Sequence, residues 1–88
     1  MNTAFEKMNL SGNRVAEVFL HKTANGQYIA AVPDIHWSAK FNQIDELQDQ
    51  FVHLQSSLNF HMFEGNTDEL AKSIIGMVKK FNHKQDAI

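Results

Sequence analysis

Residues 14–41 read Arg-Val-Ala-Glu-Val-Phe-Leu-His-Lys-Thr-Ala-Asn-Gly-Gln-Tyr-Ile-Ala-Ala-Val-Pro-Asp-Ile-His-Trp-Ser-Ala-Lys-Phe. Short runs of β-branched and aromatic residues alternate in it with turn residues, which predicts an antiparallel β-meander. Asn25-Gly26 is the strongest turn signal, because both residues tolerate the positive φ angles of a type I′ hairpin turn. Pro33 has no backbone N–H for a strand ladder and predicts the end of the second strand.

The spacing predicts three strands, at residues 15–22, 27–32 and 36–41. With a two-residue turn at 25–26, parity assigns the faces of the first hairpin. One face then carries Ala16, Val18, Leu20, Ile29 and Ala31, and the other carries Val15, Phe19, Tyr28, Ala30 and Val32.

The third strand alternates as well, with Trp37, Ala39 and Phe41 on one side and His36, Ser38 and Lys40 on the other. A two-residue connection at Asp34-Ile35 places Trp37 opposite Val32. The aromatic residues Phe19, Tyr28, Trp37 and Phe41 then share one face, whereas a connection longer by one residue reverses this assignment.

Two helices are predicted after the meander, because apolar residues recur at steps of three and four. The first covers residues 44–58 and the second covers 66–81, where Asn66 and Glu69 have the spacing of a capping box. Residues 59–63 either continue the first helix or form a short extended segment. Near the N-terminus, Ala4, Phe5 and Met8 have helical spacing and predict a short docked turn or a frayed tail. The apolar stripes consist of Ile44, Leu47, Phe51, Leu54 and Leu58 in the first helix, and of Leu70, Ile74, Met77, Val78 and Phe81 in the second.

Composition limits the class of protein. A chain of 88 residues with 43% hydrophobic and 20% charged residues predicts one globular α+β domain, residues 1–88, with a thin core. It contains no cysteine, so we expect neither disulfides nor cysteine-based zinc sites, and a cytoplasmic location is favoured. The net charge of −2 argues against nucleic acid as the main partner, and no apolar run indicates a membrane span.

No motif predicts catalysis, a cofactor or a bound metal. Among the five histidines, no pair has the three- or four-residue spacing that places two metal ligands on one helical face. The serines lie in no nucleophile-elbow context, and no glycine-rich loop precedes a helix. Asp45 and Glu46 are better explained as first-turn acids than as an acid/base pair. We therefore expect a protein that is not an enzyme and has no cofactor.

The meander is apolar on both faces, and one short chain covers only one of them well. If the helices cover the aromatic face, an apolar patch remains, and patches above a few hundred Å² commonly mark interaction sites. The alternative is that an N-terminal segment with Phe5, Met8 and Leu10 covers the patch within the chain. The expected interaction surface consists of Ala16, Val18, Leu20, Ile29 and Ala31 with the rim residues Lys22, His36, Ser38 and Lys40.

The run Asn-Gly-Gln-Tyr-Ile-Ala-Ala-Val-Pro-Asp-Ile at residues 25–35, with the strand and helix that follow, resembles the HicB-like antitoxin family. The likeness covers residues 15–58 and lies in a Gly-x-Tyr hairpin and a Pro-Asp-aliphatic turn. It departs from the family at His36-Trp37, where a glycine is usual. The resemblance implies a non-enzymatic protein that dimerises and holds a protein partner.

We therefore expect an α+β domain, a three-stranded meander with two helices on one face, that binds a protein partner or forms a homodimer. An antitoxin-like or inhibitor-like role would fit. The alternative is a small-molecule binder or minor enzyme with a pocket lined by Tyr28, Trp37, His61 and Phe63.

Overall fold

The computed structural model describes residues 3–10 and 14–86, and the side chains of 3–9 and 14–82. The α+β class is confirmed, but the sheet has four strands rather than three. The strands are antiparallel and follow one another in the order β1-β2-β3-β4. The elements are β1 (Thr3–Leu10), β2 (Arg14–Lys22), β3 (Gln27–Val32), a short 3-10 helix (Pro33–Ile35), β4 (Trp37–Asn42), α1 (Leu47–Phe60) and α2 (Thr67–Asp86).

The extra strand is the N-terminal segment, for which the prediction of a helical turn is wrong. β1 pairs along its whole length with β2, with Phe5 opposite Phe19 and Met8 opposite Ala16. A single helical turn is costly to nucleate, whereas a strand beside the long β2 gains a full ladder of backbone hydrogen bonds. The segment therefore extends the sheet and does not fold over it. Residues 11–13, Ser-Gly-Asn, have a composition that predicts a loop, and they lie outside the described residues.

The β2–β3 hairpin has a three-residue loop instead of the predicted two-residue turn. The backbone N–H of Thr23 donates to the carbonyl oxygen of Gln27 at 2.8 Å, and Gln27 N–H donates to the Thr23 hydroxyl at 2.9 Å. Gly26 has a φ of +87°, as expected for the left-handed residue that closes such a loop. The extra loop residue shifts the pairing by one, so Leu20 lies opposite Ala30 and not Ala31.

This shift corrects the predicted faces, because a one-residue slip turns one strand over relative to its neighbour. Ala16, Val18 and Leu20 share a face with Tyr28, Trp37 and Phe41, and Phe19 does not. Ala16, Val18 and Leu20 are fully buried, and so they belong to the core rather than to an exposed patch.

The β3–β4 connection places Trp37 opposite Val32, as predicted, although it is longer than two residues. Residues 33–35 form a turn of 3-10 helix, and His36 follows in the left-handed region with a φ of 53°. β2 extends past the end of β3 here. The Asp34 carboxylate takes the place of the missing strand and accepts a hydrogen bond from Glu17 N–H at 2.9 Å.

Both helices pack on the face that carries Val18, with α1 over β4 and α2 over β1 and β2. α1 begins at Leu47, and the predicted stripe residue Ile44 is 91% exposed. The predicted helix start is shifted because Gln43 bonds to the hairpin end, from its N–H to Gly26 O at 2.9 Å and from its Nε2 to Gln27 O at 2.8 Å. The five predicted stripe residues of α2 are all buried, which confirms its inner face.

Three details of the helices complete the fold. α1 ends at Phe60 and is followed by a turn, which settles the ambiguous segment as helix and then loop. The Asn66 side chain accepts Glu69 N–H at 3.1 Å, which confirms one half of the capping pair. A glycine within a helix often indicates the close approach of another element, but a Cβ at Gly76 of α2 would meet nothing within 4 Å, so it does not do so here.

Buried Gln50 fixes the loop that leads into α1. Its Nε2 donates to the carbonyl oxygens of Asp45 at 2.9 Å and Asn42 at 3.1 Å. The two loop carbonyl oxygens lose their hydrogen bonds to water on folding, and the buried amide of Gln50 replaces them. Gln50 therefore ties the end of β4 to the start of the helix.

Candidate interaction surface

The sheet has a second face on which none of the described helices packs, and we call it the open face. It consists of the residues that alternate with the core residues along each strand. In the described part of the chain these are Thr3, Phe5, Lys7 and Asn9 of β1, Val15, Glu17, Phe19 and His21 of β2, Gln27, Ile29 and Ala31 of β3, and Ser38, Lys40 and Asn42 of β4.

One row across the centre of the open face is formed by Phe5, Phe19, Ala31 and Ser38, each opposite the next on the neighbouring strand. The rings of Phe5 and Phe19 are in contact, with centroids 5.2 Å apart and planes at 59°. Phe5 nevertheless remains 48% exposed. The row is therefore bulky on β1 and β2 and low on β3 and β4.

The rows on either side combine apolar and polar groups. On one side, the Thr3 hydroxyl lies 2.9 Å from His21 Nδ1, and Ile29 and Lys40 continue the row. On the other side, Lys7 lies opposite Glu17 on the neighbouring strand. Val15, 60% exposed, extends the apolar area beyond that pair. The open face is thus an apolar centre with charged groups on both sides.

The predicted interaction surface is found only in part on this face. Ile29, Ala31, Ser38 and Lys40 lie on it. The corrected register removes the core residues Ala16, Val18 and Leu20.

The remaining two rim residues also lie away from the open face. Lys22 lies on the helix side, where its ammonium group is 5.9 Å from the centre of the Phe81 ring. His36 is exposed in the connection before β4.

Sequence reasoning missed three apolar residues of the open face, Phe5, Val15 and Phe19. Phe19 and Val15 were assigned to the covered face by the shorter turn, and Phe5 was assigned to a helix. Exposure alternates along β1, as it does in any half-covered strand, but exposed Phe5 is apolar and half-buried Glu6 is charged. The usual pattern of apolar residues inside and polar residues outside is therefore reversed at this pair, and the sequence does not indicate a strand.

The residues of the alternative small-molecule pocket lie in different parts of the fold. Tyr28 and Trp37 are buried in the core, and Trp37 Nε1 donates to the Ser57 hydroxyl at 3.1 Å. His61 lies at the end of α1, with Nε2 2.8 Å from the carbonyl oxygen of Ile35. Phe63 lines a groove together with Met8 and Leu70.

Tyr28 is the one core group with a clear electrostatic perturbation among the described residues. Burial raises its pKa above the ordinary value of 10.0, and its hydroxyl donates a hydrogen bond to Asn82 Oδ1 at 2.6 Å. This buried, neutral phenol joins the sheet to α2, and its role is to stabilise the fold.

Among the described residues, no three or more His, Cys, Asp or Glu side chains are grouped so that they could hold a metal ion. Within the same residues, none of the helices combines the length and the apolar character needed to span a membrane.

Comparison with known proteins adds a family. No curated protein and no solved structure matches the chain at a significant level. The model of one protein family, described as YueH-like protein, matches residues 3–80. That range includes all four strands, α1 and most of α2. The chain therefore belongs to the YueH-like protein family.

Proposed function

We propose that this protein is a non-enzymatic protein-binding module and that it binds its partner through the open face. The observation that supports this best is the contact pair Phe5–Phe19 on a sheet face that none of the described helices covers, with Phe5 48% exposed. Aromatic residues, Phe among them, are enriched in the buried centres of protein interfaces.

The apolar surface of the open face favours association. An aromatic side chain presents about 150–250 Å² of surface, so a half-exposed Phe5 offers roughly 100 Å². At about 25 cal/mol per Å², covering that area is worth roughly 2.5 kcal/mol. Val15 and the half-buried Phe19 and Ile29 add to it. The sum is several kcal/mol before the entropic costs of association are subtracted.

The edges of the face add selectivity. Lys7 and Glu17 on one side, and Lys40 on the other, surround the apolar centre with charges of both signs. Such a polar rim contributes little affinity, but it fixes the orientation of a partner and disfavours wrong ones. A partner is therefore expected to present an apolar surface with a mixed polar border.

Co-purification with matched variants tests the proposal. A tagged chain is recovered from its native host as wild type, as Phe5→Ser and as Phe60→Ser. Phe60 is an equally large residue, 92% exposed at the end of α1 and away from the open face. We expect wild type and Phe60→Ser to recover the same protein and Phe5→Ser to lose it. Recovery that does not depend on Phe5 would refute the proposal, provided that circular dichroism shows all three chains folded.

An antitoxin-like or inhibitor-like role, as the resemblance to HicB-like antitoxins implies, is one specific form of this function. The cytoplasmic location favoured by the cysteine-free composition belongs to the same proposal. A recovered partner with a toxic or enzymatic activity that falls when this protein is added would support that form.

A further inference from the structure

We propose that the occupant of the open face is a second copy of this chain, and that two copies pack sheet against sheet around a two-fold axis parallel to the strands, between β2 and β3. The inference depends on the proposed function, because it names the partner of the same surface. The supporting observation is that large and small side chains are unevenly distributed along the central row of the open face, Phe5, Phe19, Ala31 and Ser38.

The central row is uneven in height. Phe5 and Phe19 form a ridge on β1 and β2, and Ala31 and Ser38 leave a depression on β3 and β4. A rotation by 180° about an axis parallel to the strands exchanges the two halves. Phe19 then lies over Ala31 of the second copy, and Phe5 lies over Ser38. Facing positions that alternate between large and small residues pack without voids.

The other simple two-fold axis, across the strands, gives a poor fit. It would place Phe5 on Phe5 and Phe19 on Phe19 of the second copy, so that the ridges collide. Ala31 and Ser38 would then face their own counterparts across a gap, and such unfilled space is destabilising. Aligned packing of two twisted sheets, at about 30° between strand directions, is compatible with the axis along the strands.

The area is that of a weak dimer. Four strands about 4.8 Å apart, of which the shorter two have six residues at about 3.3 Å each, give a shared face roughly 20 Å by 20 Å. Two such faces together present roughly 800 Å², which is below the ~1,200 Å² of stable interfaces and in the range of weak, transient ones. The dimer should therefore form in a concentration-dependent manner.

The axis along the strands also avoids a clash of like charges. The two lysines of the open face lie on different rows, with Lys7 beside Glu17 and Lys40 in the row of Ile29. Exchange of β1 with β4 keeps the rows in place, so Lys40 faces Thr3 of the second copy and not Lys7. Like charges placed opposite one another in an interface would oppose association.

Sedimentation velocity over a concentration series tests the inference with complementary variants. Wild type is expected to change from monomer to dimer as the concentration rises toward about 1 mM. Phe19→Lys and Ala31→Asp should each weaken the dimer by about tenfold or more, because each buries an unpaired charge. An equimolar mixture of the two should again dimerise, because Lys at 19 meets Asp at 31 of the other chain. Phe60→Lys is the matched control and should dimerise like wild type.

Several results would overturn the inference. A wild-type chain that remains monomeric throughout would do so, and so would a dimer that Phe19→Lys leaves intact. Dissociation of both single variants without recovery in the mixture would exclude the axis along the strands. A monomeric wild type that still recovers a different protein in a Phe5-dependent manner would overturn the homodimer but leave the proposed function standing. Fluorescence of buried Trp37 verifies that each variant is folded.

Discussion

Val18→Ala and Val15→Ala form a matched pair that tests which face of β2 is covered. The two residues lie on the same strand and lose the same two methyl groups, but Val18 is 0% exposed and Val15 is 60% exposed. At about 0.8 kcal/mol per buried carbon group, Val18→Ala loses about 1.6 kcal/mol of transfer free energy. An unfilled cavity raises the total to about 2 kcal/mol or more.

Val15→Ala should cost only about 0.5 kcal/mol, mainly through the weaker strand preference of alanine. The free energy of unfolding is measured by urea titration with the fluorescence of Trp37, which is the single tryptophan and is 4% exposed. A loss of about 2 kcal/mol corresponds to a fall in melting temperature of about 8–16 °C for a domain of this size. Work at low protein concentration keeps dimerisation from contributing. Equal losses for the two variants, or a larger loss for Val15→Ala, would refute the three-residue hairpin loop and the faces derived from it.

Further substitutions test separate parts of the structure by the same titration. Gly26→Ala should lower the free energy of unfolding by about 1–2 kcal/mol, because φ is +87° there, although a Cβ would meet nothing within 4 Å. Gly76→Ala, within α2, should raise it by about 1 kcal/mol, because alanine favours the helix. Gln50→Leu should cost about 1–3 kcal/mol, because it leaves two loop carbonyls without a donor, while exposed Gln48→Leu should cost little. Tyr28→Phe should remove part of the pH dependence at alkaline pH. Since burial raises the Tyr28 pKa, the folded state holds this proton more tightly, and that stability is present below pH 10.0 and is lost as the pH rises through the folded pKa.

Each of these has a result that contradicts it. A stabilised Gly26→Ala would mean that the hairpin loop does not need a left-handed residue. A Gln50→Leu variant as stable as wild type would show that water satisfies the loop carbonyls. The ordinary phenol pKa is near 10 and lies within the range from pH 8 to pH 11. Identical stability profiles of wild type and Tyr28→Phe over this range would show that the phenol is not buried in solution.

The helices could be predicted from the sequence because their apolar residues carry a strong local period. α2 shows this best, since Leu70, Ile74 and Phe81 are all buried where the stripe placed them. The start of α1 could not be predicted in the same way. Ile44 fits the stripe, but Gln43 is held by bonds to the hairpin end, a contact between distant segments that local spacing does not encode.

The sheet was predictable in its strands but not in its register. Asn25-Gly26 fits a two-residue turn and equally fits a three-residue loop, and Thr23, whose hydroxyl accepts Gln27 N–H, decides for the longer one. That single residue determines whether Val18 or Phe19 faces the helices. β1 was missed for a related reason, because Phe5 points outward and makes the segment appear helical. Only Ile29, Ala31, Ser38 and Lys40 of the predicted surface are therefore on the open face.

Thiol labelling along β2 tests the central claim most directly, because the natural chain contains no cysteine. Single cysteines are placed at positions 15 to 20, and their reaction rates with a soluble disulfide reagent are compared at low and high protein concentration. We expect fast labelling of Val15→Cys, Glu17→Cys and Phe19→Cys and slow labelling of Ala16→Cys, Val18→Cys and Leu20→Cys. For the second copy the probe is Ser38→Cys, an almost isosteric change on the same face that leaves the Phe5–Phe19 ridge intact. It should label fast at low concentration and become strongly protected at high concentration, because Phe5 of the second copy covers it. Fast labelling at 16, 18 and 20 would contradict the open face, and an unprotected position 38 at high concentration would contradict its proposed occupant.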